Sequence, residues 1–380
     1  MKKCEILIIG GGVAGLATAY SLVKNGVKDV VVIEQEKSLG GHASGRNAGM
    51  IRQAISDPAL AGLAVEGRQA LENKTKEGWD LGWAPNGSLL LAGDDQTREL
   101  EAIAANLEKN GLLYQWLSKK QAQSFVCILK DGDFKKALFC PSDAAIEIKK
   151  LLRCFLKELK NLNVPVLCGR EVLSIQKKQA GFELRAQKES FLAKTLVNAA
   201  GAWAPVVAGH AGASQVPMTA YRRHLFLSGV SKYVEPSWPF VWDLSHNFYF
   251  RPSWKCLLMS PCDKVSQNSR LTTHDSRQEK IDPKMKQVLM KKLKAFSRIM
   301  SRIQLKSAQS GLRTMTPDGR FVVGEDPKLK NFFWVAGLGG HGITTCFSVG
   351  RLAADLILGK KRESFLTQAL SPERFVSHAS

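Results

Sequence analysis

Gly10, Gly12 and Gly15 stand at the G-x-G-x-x-G spacing, which suits one kind of chemistry, the holding of a pyrophosphate. The first glycine allows a tight turn, the second lets backbone approach the phosphates, and the third brings helix close to strand. Amides at the start of that helix then face the anion. Glu34 lies nineteen residues beyond Gly15, where an acid is expected to hold ribose hydroxyls. Together these residues predict a dinucleotide site. Two more glycine-rich stretches, Gly40 to Met50 and Gly337 to Gly342, carry His42 and His341. A histidine there can move protons near neutral pH or act as a hydrogen-bonding scaffold.

The elements needed to position these groups are legible around them. Glu5 to Ile9 is an apolar run of strand length, Leu16 to Val23 has helical periodicity, and Val30 to Ile33 is a second strand ending at Glu34. The loop 40–50 is too long and glycine-rich for a simple turn, and such loops usually serve ligands. Helices are predicted at about 95–109 and 118–125. Another is predicted from an N-cap at Asp143 through Leu159, with Ile146, Leu151, Phe155 and Leu159 on one face. Short strands follow at Val164–Cys168 and Glu171–Ile175, then the run Thr195 to Trp203, whose Ala-Ala-Gly suits close backbone approach to a ligand. From 217 to 262 the pattern becomes that of a separate antiparallel sheet. Asp282-Pro283 opens a basic amphipathic helix with Leu289, Leu293, Phe296, Met300 and Ile303 on one stripe. Phe332 to Ala336, the glycines after it, and an apolar helix from about Thr344 to Leu358 form a second strand, loop and helix unit. Cofactor contacts at both ends of the chain imply a long cofactor gripped by segments that converge in space.

At 380 residues the chain exceeds one ordinary core, so two associated domains are expected. No apolar run is long enough to span a membrane, and no signal peptide is expected from Met1-Lys-Lys-Cys4. The eight cysteines include no C-x-x-C pair and no metal-ligand spacing, so they are read as reduced thiols in a cytoplasmic protein, with no metal. The net charge of +20 would suit an anionic partner. Its basic residues are spread along the chain, as on a solvated surface. Nucleic-acid binding is therefore not expected, and the basic helix is either packed on the second domain or used for peripheral contact with an anionic membrane.

Three regions, Ile8 to Glu34, Leu196 to Trp203 and Gly311 to Gly342, resemble the FAD-dependent D-amino-acid oxidase and dehydrogenase superfamily. That superfamily includes glycine oxidase and sarcosine oxidase, and the likeness is strongest to bacterial D-arginine dehydrogenase. The resemblance implies an α/β fold with a Rossmann-like FAD-binding domain of the glutathione-reductase type, formed by 1–85, 140–215 and 308–380. A second, α+β substrate domain on an antiparallel or mixed sheet would comprise 86–139 and 216–307. It implies that Gly10, Gly12, Val13, Ala14, Gly15, Glu34 and Gln35 hold the ADP half, with Val172 touching adenine through its backbone. His42, Ala43, Ser44, Gly45, Arg46, Asn47, Ala48 and Gly49 would line the flavin, as would Ala200, Gly201, Trp203, Arg313, Gly339, Gly340, His341, Gly342, Ile343 and Thr344.

The family's substrate contacts fall on Arg223, Tyr249 and Arg313, with Arg222 able to exchange roles with its neighbour. The types make sense, since arginine recognises carboxylates bidentately and a phenol can donate to the same group. The resemblance implies hydride transfer from an amino acid, a D-amino acid in the first instance, with oxygen or a quinone as electron acceptor. A secondary amine such as sarcosine, glycine, a 2-hydroxy acid, or a modified tRNA base are the alternatives within the superfamily. The sequence departs from the arginine enzyme in two places. The guanidinium-binding acid falls within Asn86-Gly-Ser88, and a pocket tyrosine falls on Ile51, so neutral or apolar side chains are expected. The flavin-tethering cysteine of sarcosine oxidases would fall near Gly311, so FAD is expected to be noncovalent.

Overall fold

A computed structural model describes residues 1–267 and 281–376. Its first sheet has eight strands. Lys2–Ile9 lies at the centre, parallel to Val30–Glu34 on one side and to Ser190–Asn198 on the other. Val166–Cys168 extends the parallel set beyond Val30–Glu34, and Phe332–Ala336 extends it beyond Ser190–Asn198. The hairpin Val172–Lys178 and Gly181–Ala186 joins antiparallel. Val30 to Ile33 are all buried, as β-branched strands covered on both faces must be.

The turn after the central strand works only with glycine. Gly10 has φ +118°, and a Cβ there would stand 2.3 Å from the Ala199 carbonyl oxygen. The helix Val13–Lys24 then packs under the sheet against Cys346–Ile357, so closely that a Cβ on Gly350 would meet Ala17 backbone at 2.6 Å. The two ends of the chain are thereby locked together beneath the glycine turn.

The second sheet has nine strands and is mixed. Phe240–Asp243 runs parallel to Ser88–Ala92, while the remaining pairings are antiparallel. Its side chains alternate between faces. Leu89, Leu91, Phe226, Val241, Phe248 and Phe250 enter an outer core with Leu289, Leu293 and Phe296 of the helix Pro283–Phe296. The intervening Leu225, Trp242 and Tyr249 face the opposite way, toward the first sheet's loops. The helix's apolar stripe is thus buried inside the protein, and Lys292 donates to the carbonyls of Asn247 and Pro261 at 2.7 Å each.

Three details differ from the sequence-based expectations. Asp143 does not cap the next helix, which is Ile148–Asn161 with Glu147 at its N-cap; Asp143 is buried and accepts hydrogen bonds elsewhere. The basic helix stops at Phe296 because Asp131 accepts from the Ser297 hydroxyl and the Ile299 amide, competing with another helical turn. Met300 is still buried, carried by a short 3-10 turn. Strand Leu305–Met315 crosses the boundary expected at 308, yet pairs along its length with Thr219–Ser228 in the second sheet. No helix among the described residues is long and apolar enough to cross a membrane.

Candidate active site

A cleft with about 1350 Å³ of empty space runs from the first glycine turn to the loop at 337–343. Gly10, Gly12, Val13, Ala14, Glu34 and Gln35 line one end. Val172, Ala200, Gly201 and Trp203 form a wall, and His42, Ala43, Ser44, Asn47, Gly339, Gly342 and Ile343 line the remainder. Gly15 does not reach it. A Cβ there would sit 2.0 Å from the Gly10 carbonyl oxygen, so its role is to let helix meet turn. Gly49 and Thr344 also lie outside. Gly49 has φ +70° against the Ile146 carbonyl, and the Thr344 hydroxyl accepts from the Arg52 amide at 3.1 Å.

The cleft's polar groups are partly engaged. Glu34 accepts from the amides of Gly11 at 2.8 Å and Glu36 at 2.9 Å, one through each oxygen. Each carboxylate oxygen has a lone pair left for a hydroxyl. Burial pushes the Glu34 carboxyl up from its ordinary value, against those two hydrogen bonds. Ser44 caps the helix from outside, accepting from the Val13 amide at 3.0 Å. His42 pairs with Glu36 at 3.0 Å and packs on the Trp203 ring with centroids 4.5 Å apart. Trp203 Nε1 is buried without a partner among the described residues, although the side chain lines the cleft. A buried indole donor without an acceptor calls for a ligand that brings one. The glycine cradle, Glu34 and this donor fit a phosphate-rich dinucleotide such as FAD.

A second cavity adjoins the first and shares Ala43, Asn47, Leu312 and Gly339 with it. Arg223, Tyr249 and Arg313 all line it, with Trp242, Leu225 and Met50 as apolar walls. The sheet register explains their convergence. Arg223 faces Gly311 across the strand pair and Tyr221 faces Arg313, so the two arginines are diagonal neighbours on one face. Arg222 points the other way, donating to Ser310 at 3.1 Å and Gln267 at 3.3 Å, so geometry selects Arg223 for the cavity. Arg46, Ala48 and Gly340 line this second cavity rather than the first, as does Arg313. Arg46 also ties the loop 40–50 to the sheet, donating to the carbonyls of Gly41 at 2.7 Å and Ser310 at 2.9 Å.

The cavity is electrostatically unusual, because none of its lining residues is Asp or Glu. Burial, reinforced by the Arg223 charge, lowers Arg313 to about 10, which leaves it cationic at neutral pH. Burial raises the Tyr249 phenol despite both arginines, so it remains a donor. His341 lines neither cavity. Burial holds its imidazole well below the ordinary value, and the charges of Arg52 and Arg313 add to that.

Sequence reasoning missed Arg52. Its guanidinium lies 4.2 Å from the Trp242 ring centroid, and Trp242 in turn packs on Tyr249 with centroids 4.9 Å apart. Burial lowers Arg52, and Asp143 is the foremost charge opposing that shift. Asp143 accepts from the Gln53 amide at 2.7 Å and the Ser88 hydroxyl at 2.7 Å, so the segment 86–88 is served by a carboxylate turned into the protein. No spacing signals this arrangement, since Arg52, Ser88 and Asp143 are far apart in the chain.

Comparison with known proteins places the chain in a family. The family model described as FAD dependent oxidoreductase, DAO, matches residues 5–356. FAD-dependent oxidoreductase domain-containing protein 1 of Bos taurus is 24% identical, across 98% of this chain and 84% of that protein. Mitochondrial sarcosine dehydrogenase of Mus musculus is 23% identical across 95% of this chain, which spans 40% of that longer protein. The crystal structure of glycine oxidase from Geobacillus kaustophilus shares the fold, with a TM-score of 0.84 and 22% identity over 100% of both chains.

Proposed function

Because the chain belongs to the DAO family of FAD-dependent oxidoreductases, which act on amino and amine groups, we propose that it oxidises a small amino acid whose α-carboxylate is held by Arg313 and Tyr249. The observation that carries this reading is the placement of a guanidinium and a phenol on one sheet face, in a cavity that opens into the cofactor cleft. A D-amino acid is the first candidate, from the resemblance to D-arginine dehydrogenase. The similarity to sarcosine dehydrogenase favours a second reading, in which the substrate is a secondary amine.

In this reading Gly10, Gly12, Val13 and Glu34 would hold the ADP half of FAD, Trp203 would offer its Nε1 donor to the cofactor, and the loop 337–343 would line the flavin half. When bound, FAD supplies the acceptor for the hydride of the substrate's α carbon–hydrogen bond. The residues of the second cavity bind and orient. Arg313 offers paired N–H donors to the carboxylate, and Tyr249 adds its O–H. Trp242, Leu225 and Met50 exclude water from the far side. The substrate loses a hydride and a proton to give an imine, which water hydrolyses to a 2-oxo acid and ammonia. The tethering cysteine of sarcosine oxidases would fall near Gly311, which offers no nucleophile, so noncovalent FAD is expected.

The test is anaerobic mixing of the FAD-loaded protein with D-amino acids, L-amino acids, glycine and sarcosine while following flavin absorbance. Bleaching by D-amino acids supports the first reading, and bleaching only by sarcosine moves the function to the second. No bleaching by any of them overturns both.

A pH dependence is expected with this function. Hydride departs only from the neutral amine, so kcat/KM rises with pH as the substrate ammonium deprotonates. His341 is neutral throughout the neutral range and does not set that limb. His341→Gln should leave its midpoint within about 0.5 pH unit of the wild type. A pH–rate profile in which the limb vanishes or moves by more than this would make His341 the base.

A further inference from the structure

Arg223 is buried, and its Nε and Nη1 have no hydrogen-bond partner among the described residues. Two unpaired N–H groups on a buried cation are a costly arrangement for a protein to keep unless a ligand satisfies them. The guanidinium of Arg313, in the same cavity, has no hydrogen-bond or ion-pair partner among the described residues, although its backbone is held in the ladder opposite Tyr221. After burial, the strongest influence on it is the charge of Arg223, of its own sign, and Arg52 adds a weaker like charge. The Tyr249 phenol and the Cys262 thiol lie beside it, and burial raises both, keeping them neutral. The nearby carboxylates are committed elsewhere. Asp143 faces Gln53, Ser88 and Arg52, while Asp263 accepts from the His224 amide at 3.0 Å and pairs with the His224 ring at 2.7 Å.

A substrate with one carboxylate would therefore leave a second cation uncompensated in a cavity walled by Trp242, Leu225 and Met50. We infer that this cavity is built for a dianionic substrate, an amino- or imino-dicarboxylate, whose reacting α-carboxylate sits on Arg313 and whose second carboxylate sits on Arg223. The spacing suits this. Arg223 and Arg313 are diagonal neighbours across an antiparallel pair, with backbones ~7–8 Å apart. Two guanidiniums so placed can each take one end of a short dicarboxylate, each through a fork of parallel N–H donors. The cationic wall also discriminates against substrates with basic side chains, because a like charge there would meet only guanidiniums. The inference rests on the function proposed above, deepening it to a substrate class.

The test uses non-reacting ligands, so that it stands apart from turnover. FAD-loaded protein is titrated with succinate and with butyrate, which have the same chain length and differ in one carboxylate, while perturbation of the flavin spectrum is followed. Succinate should bind at least ~30-fold more tightly than butyrate, the effect of one added charge-assisted contact. Arg223→Met should shrink that ratio to about threefold or less while moving the butyrate Kd little. Arg223→Lys, which keeps the charge and loses the fork, should retain part of the preference. Equal affinities in the wild type would overturn the inference, and that result is readable even if the Met variant fails to fold. A variant that weakens both ligands equally would overturn it too, by showing that both arginines grip one carboxylate. Under the inference, anaerobic bleaching by iminodiacetate or D-aspartate should also exceed that by N-ethylglycine or D-2-aminobutyrate. Bleaching by the monocarboxylates alone would sink the substrate class while leaving the amine oxidation intact.

Discussion

Arg313→Ala should lower kcat/KM for the substrate by about a thousandfold while the protein still carries FAD. Truncating one member of a buried, hydrogen-bonded charge pair costs 2–5 kcal/mol, and about 4 kcal/mol corresponds to three powers of ten in rate. The expectation that FAD stays follows from position, since Arg313 lines the second cavity and not the long cleft. The loss should appear as slower flavin reduction as well as weaker binding, because a substrate held by one end only no longer presents its α carbon–hydrogen bond in a fixed orientation. Arg313→Lys should recover only part, since an ammonium keeps the charge but not the fork. Stopped-flow reduction under anaerobic conditions measures both quantities. Retention of activity within tenfold of wild type in the alanine variant would remove Arg313 from carboxylate recognition.

The second large effect concerns the cofactor. A Cβ at Gly12 would meet only the Ser44 hydroxyl, at 3.0 Å, and the backbone there is extended with φ −80°. Gly12→Val should therefore fold, but its methyls would occupy the space where backbone approaches the phosphates. FAD affinity should fall at least ~100-fold, about 2.7 kcal/mol, and the protein should purify colourless. Gly10→Ala is different in kind. Its φ of +118° and the 2.3 Å approach to the Ala199 carbonyl put the penalty on the fold itself. Flavin absorbance per protein, with thermal unfolding of the apoproteins, separates the two. A yellow Gly12→Val protein would show that the turn is not the phosphate cradle.

These contrasts also explain what was legible from residue order. The strand, glycine turn, helix and Glu34 are close in sequence and answer to one local requirement, so their spacing carries the information. The second sheet was legible as a separate antiparallel set over 217–262, though the parallel pairing of Phe240–Asp243 with Ser88–Ala92 was not. Asp143 looked like a helix cap because aspartate before an apolar run is one. Its actual partners, Gln53 and Ser88, are 90 and 55 residues away, where local pattern has no reach. Arg52 was invisible for the same reason, since a cation placed on Trp242 and opposed by Asp143 is a property of the assembled sheet. Arg223 and Arg222 could be told apart only by the register that turns one inward and the other out.

That register bears on how this chain can change over evolutionary time. Strand Leu305–Met315 delivers Gly311 and Arg313 to the cavity through ladder pairs that run without interruption from Thr219 to Leu227. Inserting or deleting a single residue within that stretch would reverse the facing of everything beyond it, turning Arg313 away from the cavity. Lineages can accept length drift here only in steps of two, or beyond the irregularity at Leu227/Ser228, where one extra residue is already absorbed. Indel tolerance should therefore stop abruptly at that irregularity, and a library scanning single-residue insertions along 305–315 would trace the edge of the catalytic lineage's freedom.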